Sequence, residues 1–358
     1  MTKSQIRKFF QEQPWWLLFL GFLPLPAMLA IAKSDFNSAS TRLSVTQSIQ
    51  PSPVVEPTPT PLPSPSVEPS VPPAPTPEAS PSPQPTPNPT PSELTEAEKA
   101  LNEAAKARYV ASLPSVDSTI EMHVAIATKV PNLTLSSSIQ AQVYDQSGQL
   151  LAQLAPHETY TLSASAAGMS LNTQSLPAVV FLDASHQGLT TIGNRTYRGR
   201  FLFVADGGVL WAVNYINLRQ YLYSVVASEV SPSWKTEALK AQAIAARSYA
   251  LTYYFKPVSS FYHLGSDEYY QVYSGIDRED ERTSQAVDET AGEFVSYKGG
   301  IVESLYAASD DIVAEAFQGK GMSQLGALSL AEQGYTYAQI LQNYYPRTSV
   351  SRLRLEFE

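Results

Sequence analysis

The chain has 358 residues, a formal net charge of −9 and only 16% charged residues, a balance that argues against nucleic-acid binding, which needs clustered cations for phosphate contacts. Cysteine is absent, which excludes disulfides, thiolate metal sites and cysteine nucleophiles. The length allows two domains or one domain with appendages.

In chain order, the first element reads as an export segment over 1–32. Lys3, Arg7 and Lys8 form a basic start, residues 14–32 carry no charge, and the run closes on Ala30-Ile31-Ala32, an A-x-A cleavage pattern. Its length also suits an uncleaved membrane anchor, against which Pro24 and Pro26 count because each removes a backbone donor. Either way the rest is expected outside the cytoplasm, in the cell envelope, touching a membrane only through 14–32. Residues 33–92 read as a disordered linker: from Pro51 to Pro91 there are 18 prolines in 41 residues, a composition that buries no core and favours polyproline II. Thr95-Glu96-Ala97-Glu98 has the form of a capping box opening a short helix within 93–111.

The folded part is expected over 115–358. Ile120, Met122, Val124 and Ile126 alternate with Glu121, His123 and Ala125, as in a half-buried strand. Short apolar runs follow at 133–136, 141–144, 149–154, 179–182, 189–192, 200–204 and 208–214, separated by turn signals such as Asp206-Gly207-Gly208. Helical patterns then appear at about 232–255, 279–290, 323–333 and 336–344. The fold class is therefore α+β, β-rich first and helical after.

At the junction lies YLYSVVASEVSPSWKTEALKAQAIAARSYAL, residues 221–251. Tyr221–Ala227 reads as an apolar strand that exits into Glu229. Ser231-Pro232 suits the N-cap and first position of the next helix, whose buried stripe is Leu239, Ala243, Ala246 and Ala250, leaving Gln242, Arg247 and Tyr249 off it. A carboxylate there has two readings. It can be a dipole partner of the helix N-terminus, which lowers its pKa, or a general acid, whose pKa is raised by apolar neighbours such as Tyr221, Tyr223, Val225 and Trp234.

This stretch resembles the signature of the stage II sporulation protein D (SpoIID/LytB) family at Tyr221-Leu222, Val225-Val226, Glu229, Trp234, Glu237–Ala243 and Ala245–Arg247 with Tyr249-Ala250. Further resemblances follow in the family's order. Asn194–Gly199 is similar to its "GRxYRG" hairpin, Gln271–Gly275 to "QVYxG", and Thr290–Gly292 with Tyr297–Gly299 to "T-x-G…Y-x-G". Gly321–Ala327 followed by Tyr344-Tyr345-Pro346 is similar to "GMSQ-x-GA…YYP".

The resemblance implies peptidoglycan as the partner and a lytic transglycosylase activity that cuts the MurNAc–GlcNAc bond and leaves a 1,6-anhydro end. It places the catalytic acid at Glu229 and sugar-binding side chains at Arg247, Tyr297, Ser323 and Gln324. A single carboxylate suffices, because the acceptor is the sugar's own C6 hydroxyl and not water, which ordinary glycosidases activate with a second carboxylate. The alternatives are a non-catalytic module of the LytB type that enhances an N-acetylmuramoyl-L-alanine amidase, or a peptidoglycan-holding module with a degenerate site. Two departures bear on them. Tyr306 is followed by Ala307-Ala308-Ser309-Asp310-Asp311 where the family has His-Ser-Ser-Ser-Gly-Gly, and only Ile312–Lys320 separates that motif from Gly321. No cofactor is expected. No metal is expected either, since His123, His157, His186 and His263 show no ligand spacing.

Overall fold

The computed structural model describes residues 43–46, scattered positions between 95 and 109, and 114–355 except 166 and 186. The expected export segment and most of the expected linker lie outside the described residues. Within the linker, Leu43–Thr46 pairs antiparallel with Ser349–Leu355. The capping box at the short helix is formed, with Thr95 N–H donating to Glu98 Oε2 at 2.8 Å and Glu98 N–H to Thr95 Oγ1 at 3.3 Å.

The architecture is α+β. A seven-stranded sheet runs in the order Leu264–Gly265, Glu121–Val130, Val209–Asn217, Arg200–Asp206, Val179–Asp183, Ala141–Tyr144 and Leu150–Leu154. It is antiparallel except for the first pair. Along Arg200–Asp206 the pleat sends Phe201, Phe203 and Ala205 into the main core and Leu202 and Val204 into a smaller cluster with Val213, so both faces of this strand are covered. The alternation expected from Met122 and Val124 holds at the strand's start and breaks at Ala125, which is also buried. A register irregularity against Ala212-Val213 marks the break. A second, six-stranded sheet adds strands the apolar runs did not announce, at Arg195–Tyr197, Tyr160–Ser165, Gly168–Leu171 and Gln174–Leu176.

The helices are α1 (Val116–Thr119), α2 (Leu218–Glu229), α3 (Thr236–Phe255), α4 (Glu281–Glu289), α5 (Asp310–Phe317), α6 (Gln324–Glu332) and α7 (Tyr337–Tyr344). Helix α3 packs against α2, α4, α6, α7 and the strand Glu293–Tyr297. That is why the single stripe read from sequence is too narrow: Gln242, Arg247 and Tyr249 are buried as well. Its start is also later than expected. Ser231-Pro232 sits in a turn because the Arg282 guanidinium of α4 takes the carbonyls of Pro232 and Trp234, and the helix opens after Lys235. Among the described residues no helix is long and apolar enough to cross a membrane.

Candidate active site

The apolar run at 221–227 is a helix and not the strand expected. Tyr221, Leu222, Val225 and Val226 are all fully buried, a spacing of one, four and five that winds onto one helical face and cannot alternate across a sheet. The start signal lies upstream, where Asn217 accepts the Gln220 N–H at 2.9 Å and donates to the Gln220 side chain at 3.0 Å.

The consequence falls on Glu229, which becomes the last residue of α2. It stands at a helix C-terminus, where the partial charge is negative, and seven residues ahead of Thr236, which opens the first turn of α3. The dipole-partner reading loses its geometry. The side chain is half-buried, and burial pushes its carboxyl pKa up, against two hydrogen bonds that pull it down. The Val272 N–H donates to Oε1 at 2.9 Å and Gln324 Nε2 to Oε2 at 3.3 Å. Each oxygen keeps a second acceptor direction, so the group is held in orientation and remains able to carry or accept a proton.

Behind it lies a hub at Gln271, fully buried. Its Nε2 donates to the Ala246 carbonyl at 3.1 Å and to Tyr306 Oη at 2.9 Å, while its Oε1 accepts from Tyr221 at 2.9 Å. A backbone carbonyl can only accept, which fixes the amide's orientation. Tyr306 therefore spends a lone pair on Gln271, and its own hydrogen has no acceptor among the described residues. Burial first and the charge of Glu229 next hold both Tyr306 and Tyr221 well above the ordinary tyrosine pKa, so both are neutral donors. The rest of the QVYSG segment is pinned on α2 and the sheets. Tyr273 Oη donates to Asn214 at 2.7 Å, Ser274 N–H donates to Ser224 at 3.2 Å, and Gly275, at φ +76°, lies against the Thr196 carbonyl where a side chain has no room.

Of the residues expected around a sugar, Gln324 is brought to Glu229 and the others are placed elsewhere. Arg247 is corrected from cleft to core: it is fully buried, ion-paired to Asp117 at 2.9 Å, and donates to the carbonyls of Val287 and Glu293 at 3.0 and 3.1 Å. Ser323 is buried as the N-cap of α6 and accepts the Gly326 N–H at 3.0 Å. Tyr297 is 47% exposed at a strand end under Lys298 and makes no polar contact with Glu229, Gln271 or Gln324. Tyr223, expected among the apolar neighbours of Glu229, donates instead to Asp288, at 2.8 and 2.9 Å from its two oxygens, and thereby ties α2 to α4. Gln271, Val272 and Tyr306 were visible in the motifs, but nothing in sequence order shows that they converge on Glu229.

The shortened stretch after Tyr306 is a closed piece of structure. Tyr306-Ala307 pairs in parallel with Met322-Ser323, and α5, capped by Ser309, fills the turn between them. This pairing sets Tyr306 opposite Met322, two residues before Gln324. Among the described residues no group of three His, Asp or Glu side chains is disposed to hold a metal.

With this geometry in hand, the comparisons are direct. The profile of the SpoIID family (stage II sporulation protein) matches residues 206–297. An uncharacterized protein of Brachyspira hyodysenteriae is 28% identical over 177 residues, 49% of this chain and 48% of that one. The amidase enhancer of Bacillus subtilis is 34% identical over 95 residues, 26% of this chain and 12% of that protein. The chain thus spans about half or less of the curated relatives it matches. The matched segment holds α2, α3 and α4 with Glu229, Gln271 and Val272, while Tyr306 and Gln324 lie beyond it. Residues 206–297 of this chain thus match the SpoIID family.

Proposed function

We propose that the protein acts on the bacterial cell wall as a lytic transglycosylase, exported or anchored in the envelope, with Glu229 as the acid and base. One observation carries this reading: a lone half-buried carboxylate of raised pKa, held by one donor on each oxygen, with no second carboxylate bonded to it. The reaction needs this group protonated at the start, the form that its burial favours. Its proton passes to the bridging oxygen as the C1–O bond breaks, and the carboxylate then takes the proton of the C6 hydroxyl as O6 bonds to C1. The proton count closes and no water is consumed. General acid–base catalysis of this kind supplies about 10²–10⁴-fold. Tyr306, a neutral hydroxyl with its hydrogen uncommitted, is suited to donate to a substrate oxygen beside Glu229.

The test is mass spectrometry of purified glycan strands after incubation. The wild-type protein leaves 1,6-anhydro ends. Glu229→Gln, nearly isosteric but unable to transfer the proton, lowers their rate of appearance by at least about 10²-fold. Equal rates in the two proteins exclude Glu229 as the acid. A second reading, a module that enhances an amidase, is favoured by the printed name of the Bacillus subtilis relative. It predicts no anhydro ends and a faster amidase when the two proteins are mixed.

A further inference from the structure

A groove of about 370 Å³ adjoins the candidate site, within the ~300–1,000 Å³ range of small-molecule sites. Its walls include Tyr262, Tyr270, Asp267, Glu268, Arg195 and Val272. Val272 makes the connection, since its backbone N–H holds Glu229 Oε1 at 2.9 Å while the residue itself lines the groove. Tyr270 is built into place. Tyr270 N–H donates to the Asp267 carbonyl at 3.0 Å and Tyr269 N–H to Asp267 Oδ1 at 3.2 Å, so the loop turns back on itself. The Tyr270 ring lies over Gly265, where an added Cβ would stand 2.7 Å from its Cδ2. Tyr253 and Tyr269 meet the same ring edge-on, at centroid distances of 5.7 and 4.9 Å, and Tyr269 is 57% exposed.

We propose that this groove is a sugar-binding subsite, seating the amino-sugar units of a glycan strand next to the one whose bond Glu229 attacks. A pyranose ring has one apolar C–H face and a rim of hydroxyl and acetamido groups. The groove offers the complement of both: aromatic rings for the face, carboxylates of Asp267 and Glu268 to accept from hydroxyls, and Arg195 to donate to hydroxyl or acetamido oxygens. Arg195 lies outside the catalytic network and in the Asn194–Gly199 hairpin, so it gives that sequence motif a task. Position supplies the remaining argument. Val272, which lines the groove, is also the residue whose N–H holds Glu229. The proposal rests on the reading that Glu229 faces a cell-wall glycan.

The experiment measures binding of purified glycan strands by titration calorimetry in the Glu229→Gln protein, which does not consume the ligand. Tyr270→Ala and Tyr262→Ala each raise Kd by about three- to tenfold, the worth of one stacked ring, while Tyr270→Phe keeps the parent value. Gly265→Ala, which displaces the ring without removing it, raises Kd as Tyr270→Ala does. In the protein with Glu229 intact, the same alanine variants raise KM and spare kcat. Kd values unchanged in both alanine variants overturn the subsite, as does a parent protein that binds no strands. The two readings fail separately. Tyr270-dependent binding by a wild-type protein that leaves no anhydro ends keeps the groove and ends the catalytic reading. Cleavage with binding indifferent to Tyr262 and Tyr270 does the reverse.

Discussion

At the scale of single residues, Glu229 is the only member of the network whose environment works against its ordinary charge state. Burial raises its pKa more than the Val272 and Gln324 hydrogen bonds lower it, and the C-terminal end of α2 adds to the penalty on a negative charge. Linkage fixes the sign. The native protein holds this proton more tightly than the unfolded chain does, so stability falls as pH rises through the window between the ordinary Glu pKa, about 4.3, and the raised native value. An uncharged side chain escapes that penalty. Glu229→Gln is therefore expected to melt above wild type at pH 7, with the gap closing as pH falls toward 4. Thermal unfolding followed across that range checks it. A gap that stays constant, or a variant that melts lower at pH 7, contradicts the raised pKa. Arg247 shows the opposite economy at the same scale: its charge is cancelled by Asp117 and its donors end on protein carbonyls. Both residues stand in one stretch of sequence and both are polar among apolar neighbours. Their difference was not legible there, because the partners of Arg247 lie 130 residues upstream and 40–46 residues downstream.

At the scale of elements, α3, α4, α6 and α7 were legible from their periodicity, and α2 and α5 were not. Seven apolar or small residues from Tyr221 to Ala227 satisfy a buried strand as well as a buried helix, and the deciding cue is the Asn217–Gln220 cap one turn earlier. The error mattered for function, since it put Glu229 at the wrong kind of helix end. The loop from Met322 into α6 was read more successfully. Gln324 reaches Glu229, and α6 packs on α3 through Ala327 and Ala331 with Leu328 beside them, while Leu325 is 55% exposed. That placement depends on Gly326, over which the Tyr344 hydroxyl of α7 closes and where an added Cβ would also stand 3.0 Å from Ser323 Oγ. Gly326→Ala must push Tyr344 away or tilt the first turn of α6, carrying Gln324 with it. We expect a stability loss of about 1–3 kcal/mol from overpacking and a drop in anhydro-end formation of up to about a hundredfold, the reach of a displacement near 1 Å. Adding Tyr344→Phe removes the colliding oxygen and should recover most of both. A single variant with wild-type rate and melting temperature shows that α6 needs no such clearance.

At the scale of the whole molecule, the α+β order and eight strands between Glu121 and Asn217 followed from apolar runs and turn residues, but the other strands and the sorting of strands into sheets did not. Pairings such as Leu264–Gly265 on Glu121–Val130 join residues about 140 apart, and no local pattern encodes a partner at that distance. The same pairing brings together two histidines that the sequence scatters. His263, buried, stacks on His123 with centroids 4.5 Å apart, accepts the His123 N–H on Nδ1 at 3.1 Å, and meets the edge of Tyr254. The far face of His123 lies on Tyr215 at 3.8 Å, with Glu121 and Arg200 beside the stack. Burial first, and the neighbouring His123 next, push His263 down to about 4. Protonation would cost it the hydrogen bond on Nδ1 and place a charge in the wall between strands. The unfolded chain binds that proton near pH 6.5 and the native one only near 4, so this histidine's contribution is complete above pH 6.5 and is lost as pH falls through the window. It amounts to at most about 3 kcal/mol, or about 6–12 °C in Tm for a domain of this size. Because it opposes the Glu229 effect over part of the same range, the two separate only by substitution. His263→Gln, which keeps an acceptor for the His123 N–H but does not titrate, should flatten the Tm profile between pH 6.5 and 4 while leaving the Glu229 slope in place. If wild type and His263→Gln lose stability in parallel over that interval, the acid sensitivity of the fold resides in its carboxylates and not in the pair that joins the edge strand to the sheet.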